Sequence, residues 1–421
     1  MKKFINARLK GNEQLVEILT DNGKIIEISF KTSGKDGEIE EVIDLEGNLV
    51  VPPYVDPHLH LDYVFTADMG QRNGSGTLFE GIQRWSESKG NMTVEAMKQR
   101  IYKGIQKEML QGVQAIRTHI DVTEPGLVGL KAALEVKSEL KDILDLQIVA
   151  FPQEGMYAYK GGDELVEESL KMGADCVGAI PHYELAREFG EKSIHKAVEL
   201  AVKYDKLIDV HCDETDDIQS RFLELLNALV TIEGIGTKTA ASHTCSFGSA
   251  DNSYAFRMMN LLKKSGINFI SCPTENIYLQ GRQDTYPKRR GLTRVKELND
   301  NGINVCFAQD SMSDPWYPLG NGNMMMILDH GIHIAQMMSP DEIENALDLV
   351  TVNGAKTMNL NDYGIEVGKS ANFIVLDAKN EFDAICERAA VLSSVRHGEF
   401  LYQKEPAKVV RSVDFLKNSM A

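Results

Sequence analysis

Cysteine is scarce in this 421-residue chain: Cys176, Cys212, Cys245, Cys272, Cys306 and Cys386 are the six, and no two form a CxxC pair. That scatter suggests neither a structural zinc site nor a disulfide framework, so most of the thiols read as small buried hydrophobes. Positive charge is short as well, since 45 Lys and Arg against 62 Asp and Glu leave a formal net charge of −17. Tracking a phosphate backbone requires clustered cations, so no nucleic-acid substrate is expected. No apolar run approaches the roughly 20 residues of a membrane-spanning helix. The start, Met1-Lys2-Lys3-Phe4-Ile5-Asn6-Ala7-Arg8, turns polar before a signal-type apolar region forms. A cytoplasmic protein with no membrane partner is the expectation. Internal repeats and low-complexity segments are absent too, and 43% hydrophobic content suffices for a large core.

What the chain does have is alternation. β-Branched runs at 49–57, 113–122, 146–153, 176–183, 207–214, 239–244, 267–273 and 303–310 are separated by helical patterns such as 94–111, 127–140, 193–204 and 252–265. Eight βα repeats predict an α/β fold of the (β/α)8 barrel type, with chemistry on the loops at the strand C-terminal ends. Both flanks carry short strand-like pieces and tight turns such as Asp21-Asn22-Gly23. Neither flank is long enough to fold alone. The expected division is therefore 1–48 with 365–421 as one small β-sandwich, and 49–364 as the barrel.

Residues of metal-ligand type recur at the predicted strand ends. His58 and His60 in Val55-Asp56-Pro57-His58-Leu59-His60 share one side of an extended segment, and two imidazoles so placed can grip one cation. His211 ends the fifth candidate strand, His243 the sixth and Asp310 the eighth. Imidazoles with a carboxylate suit zinc or ferrous iron rather than calcium or magnesium. Other histidines read differently. His330 and His333 lie on a helix outside the barrel, while His119 and His182 stand near strand ends, where satisfied polar positions are the leading reading and supporting groups behind the ligands the alternative.

With these motifs the chain resembles the amidohydrolase superfamily, and within it bacterial cytosine deaminase. Further stretches carry that resemblance: 75–82, Leu146 through Phe151-Pro152-Gln153-Glu154-Gly155, Val210-His211-Cys212-Asp213-Glu214 and 279–291. It implies His58, His60, His211 and Asp310 as metal ligands. No lysine follows the fourth strand at Gly178-Ala179-Ile180-Pro181-His182, so one divalent ion per subunit, Fe2+ or Zn2+, is implied. It further implies Gln153 and the backbone of Leu78 as ring contacts, Glu214 as proton shuttle and His243 as the group that orients the attacking hydroxide. Such roles are chemically coherent, because a divalent ion brings bound water to a pKa of about 7 and a nearby carboxyl can move its protons. The implied partner is a small heterocyclic substrate, and the implied assembly a homo-oligomer, with a hexamer as one option.

The pattern departs from that family in the substrate loops. Ser311 in Asp310-Ser311-Met312-Ser313-Asp314-Pro315-Trp316 stands where an acid is usual, and Ser313 where an aromatic is usual; Glu275 replaces an apolar residue. Ser311, Asp314 and Trp316 are thus candidate substrate contacts. Hydrolytic deamination of cytosine is the leading expectation, with creatinine, 5-methylcytosine or isoguanine as alternative substrates. Ring-opening hydrolysis of a cyclic amide and a non-catalytic metal sensor are the competing readings.

Overall fold

In the computed structural model of the chain, the described residues are 1–32 and 39–407, so the end of the C-terminal flank, 408–421, lies outside them. Eight parallel strands form the central sheet in chain order: β1 (Tyr54–Leu59), β2 (Val113–Asp121), β3 (Asp145–Phe151), β4 (Cys176–Ala179), β5 (Leu207–Cys212), β6 (Thr239–His243), β7 (Asn268–Ser271) and β8 (Val305–Phe307). A parallel bridge between Leu59 and Asp310 joins the two edges into a nearly closed barrel. Across that seam the Asp310 amide donates to the His58 carbonyl at 2.8 Å, and the His60 amide to the Asp310 carbonyl at 3.2 Å. The bonds that close the barrel therefore come from the segments carrying His58, His60 and Asp310.

Strand β2 is buried at all nine positions, as a parallel strand covered on both faces must be. Outside it, Thr77 and Thr93 cap the helices Leu78–Lys89 and Val94–Met109, each hydroxyl accepting from an amide three residues on. Gly81 lets the first of these helices close on the barrel rim, because a Cβ there would stand 2.6 Å from the Trp316 indole.

Residues predicted as one barrel strand, 49–57, are divided in the structure. Leu49–Val51 pairs antiparallel with Phe373–Leu376, and the barrel strand begins only at Tyr54. Pro52 and Pro53, which lack amide donors, sit at the break. Two four-stranded sheets accompany the barrel. One contains Lys2–Ala7, Val16–Asp21, Lys24–Ser29 and Glu41–Asp44; the other contains Leu49–Val51, Phe373–Leu376, Val391–Arg396 and Glu399–Gln403. They share a core in which Phe4 meets Phe373 edge to face, with ring centroids 5.0 Å apart. Among the described residues no helix is long and apolar enough to cross a membrane.

Candidate active site

The C-terminal ends of β1, β5 and β6, with the residues just past β1 and β8, bring His58, His60, His211, His243 and Asp310 together. His60 Nε2 and His211 Nε2 are 3.1 Å apart, and Asp310 Oδ1 lies 3.5 Å from His60 Nε2 and 3.6 Å from His58 Nε2. Ligand atoms bound at about 2.0–2.2 Å to one ion stand roughly 3.0–3.5 Å from each other, so these edges match a coordination shell. Burial, aided by the crowded neighbouring imidazoles, holds His58, His60 and His211 well below the usual histidine range. They are neutral at physiological pH, the state in which imidazole ligates. His58 Nε2 and Asp310 Oδ2 are buried without a hydrogen-bond partner. The donor set fits a divalent ion.

Behind these residues lies a polar network. His58 Nδ1 is 2.9 Å from the Ser242 hydroxyl, which donates at 2.5 Å to Asp209 Oδ1. Asp209 Oδ2 accepts from Arg117 at 2.9 Å, and Arg117 also donates to Gln147 and the Thr357 carbonyl. His119 Nε2 stands 3.4 Å from Asp209 Oδ1. Such partners fix a ligand's ring orientation. Removing one member of a fully buried ion pair strands the other, so Asp209→Ala is expected to cost about 3–5 kcal/mol of stability. Urea unfolding checks this, and a loss below about 1 kcal/mol would contradict it. Aromatic rings brace two imidazoles as well: Phe151 stacks on His211 with centroids 4.0 Å apart, and Tyr63 on His60 at 4.6 Å.

Facing the imidazoles is a group of carboxylates. Single oxygens of Glu214, Glu275 and Asp310 lie within 4.8 Å of one another. Burial pushes all three carboxyls well above their usual range, and the other acids of the group push further. His243 Nδ1 is 3.1 Å from the Asn276 amide nitrogen and 3.6 Å from both Glu214 Oε1 and Asp310 Oδ2. Burial brings His243 down to about 3. Both His243 and Asp310 adopt φ 67°, a left-handed backbone that non-glycine residues rarely hold and that clusters at functional sites.

Among the expected substrate contacts, Gln153 is buried with its Oε1 unpartnered, and Leu78 occupies the first turn of its helix, where backbone amides are free to donate. Ser311 is fully buried, and its hydroxyl has no hydrogen-bond partner. Asp314 accepts from the amides of Met312, Trp316 and Tyr317 at 3.0 Å each, so its carboxylate shapes the loop. Trp316 packs its indole on Tyr63 at 4.3 Å. His330 and His333 face carbonyls of their own helix, Met324–Ala335, at 2.8 and 2.6 Å. His182, like His119, has both ring nitrogens buried without a hydrogen-bond partner.

Asp209, Arg117, Ser242, Asn276 and the ring braces escaped the sequence reading. Asp209 had a usable signal, since it lies two residues before His211 on one strand and so points to the same side.

Barrel and site together define a hydrolase acting on carbon–nitrogen bonds. The amidohydrolase family model matches residues 41–402, and the chain belongs to that family. A 5-methylcytosine deaminase from Klebsiella pneumoniae, solved with 5-fluorocytosine, is similar at a TM-score of 0.94 and 50% identity, over 97% of this chain and 99% of that one. The same enzyme liganded with phosphonocytosine superimposes at a TM-score of 0.93, covering 97% of this chain and 100% of that one. An N-isopropylammelide isopropyl amidohydrolase from Pseudomonas sp. (strain ADP) is 29% identical over 95% of this chain and 96% of its own length. The family typically uses a divalent metal, and these relatives support hydrolytic deamination of a small cyclic heterocycle.

Proposed function

We propose that the protein deaminates 5-methylcytosine, with water replacing the exocyclic amine and ammonia leaving. The observation that carries this reading is Ser311, a small neutral and fully buried side chain next to the ligand-type Asp310. A shorter side chain there leaves space for a ring methyl beside the reacting carbon. The likeness at 50% identity to the Klebsiella 5-methylcytosine deaminase supports it.

His58, His60, His211 and Asp310 would hold the ion, and both Zn2+ and Fe2+ accept this donor set. When bound, the ion supplies an activated water at neutral pH. Gln153 offers its free amide to the ring's own amide edge, and Leu78 adds backbone contact. Glu214, with its carboxyl raised by burial, carries a proton to the ring nitrogen and later to the departing amine. His243, wedged between Glu214 and Asp310, orients the attacking oxygen. We take the assembly as a homo-oligomer.

Ser311→Asp is expected to move the ratio of kcat/KM toward cytosine and against 5-methylcytosine by roughly 5–150-fold, the span of about 1–3 kcal/mol that one pocket group supplies. An unchanged ratio would remove Ser311 as the determinant. Cytosine as the preferred substrate is the second reading, and parent-enzyme efficiencies on the two rings decide between them.

A further inference from the structure

Glu275 sits in the first turn of the short helix Pro273–Leu279 that follows β7. Its side chain is 3% exposed, and its Oε2 is buried without a hydrogen-bond partner. The three-carboxylate group places one of its oxygens within 4.8 Å of oxygens of both Asp310 and Glu214. A buried acid with a free oxygen is costly unless a ligand meets it.

The reaction presents three polar atoms at one carbon: the ring nitrogen, the incoming oxygen and the outgoing amine. On the roles proposed above, Glu214 delivers protons to the ring nitrogen and to the departing amine, while His243 orients the oxygen. Neither assignment provides a standing acceptor for the amine's own N–H groups. We infer that Glu275 accepts a hydrogen bond from the exocyclic amine and holds it as the carbon–nitrogen bond breaks, an additional catalytic contact that rests on the deaminase reading. In that step the electron pair of the breaking bond stays on nitrogen. The hydroxyl proton, passed through Asp310 and Glu214, reaches that nitrogen, the carbon–oxygen bond becomes a carbonyl, and ammonia departs. Glu275 gains and loses no proton overall.

The test uses metal-loaded parent, Glu275→Val and Glu275→Gln proteins. Two probes are compared: 5-methylcytosine as substrate, and 5-methyl-2-pyrimidinone, which lacks the amine, as competitive inhibitor. Glu275→Val is expected to lower kcat/KM on 5-methylcytosine by about 100-fold, the lower end for a lost transition-state hydrogen bond. The inhibition constant of the amine-free ring should move less than about 3-fold. Glu275→Gln keeps an acceptor oxygen and should lose less than about 10-fold, which also guards against a Val variant that folds poorly. Equal losses on substrate and inhibitor, a Gln variant as impaired as Val, or an unaffected Val variant would each overturn the assignment. Failure of the deaminase reading itself would look different, because the parent would release no ammonia from any cyclic amidine.

Discussion

Glu214→Gln should retain its metal and lose about two to four orders of magnitude in turnover. The substitution preserves size and hydrogen bonding, and Glu214 is not among the groups whose nitrogen or oxygen atoms form the edges around His60 Nε2. What it removes is a carboxyl that burial, together with Glu275, keeps in a proton-holding range, as the proposed shuttle requires. Metal analysis with steady-state kinetics checks both halves. A full rate would mean that another group moves the proton, with Glu275 the first to examine.

His211→Ala should act the other way round, abolishing metal binding and activity together. Its Nε2 is 3.1 Å from His60 Nε2, and two neutral imidazole nitrogens face each other this closely only by sharing one proton or one ion. Loss of the ring also unstacks Phe151, so melting behaviour should be followed alongside. Stoichiometric metal with undiminished turnover would contradict the ligand assignment, since metal affinity depends on the whole donor set.

Strand alternation made the barrel legible, and the HxH pair with His211, His243 and Asp310 was readable because each falls at the end of its own strand run. The first strand was misdivided for a local reason. Leu49–Val51 is as apolar as a barrel strand, and only its antiparallel pairing with Phe373–Leu376, over 300 residues away, sends it into the other sheet. The network of Arg117, Asp209 and Ser242 was hidden because its members come from three strands, and side chains inside a barrel meet across it regardless of sequence distance. Glu275 was visible as an oddity, but its direction depends on the short turn after β7. The left-handed backbone of His243 and Asp310 falls on residue types that adopt it more often than most, but that preference is too weak to read from the sequence.

The proposed reaction releases ammonia from a ring that stays intact. The direct measurement is to supply the metal-loaded protein with 5-methylcytosine, cytosine, creatinine and isoguanine, and to quantify ammonia and ring product together. Ammonia in equal amount to a product that keeps its ring and gains a carbonyl, with 5-methylcytosine the most efficient substrate, is the predicted result. A ring-opened acid without ammonia, or no product from any of the four, would contradict it.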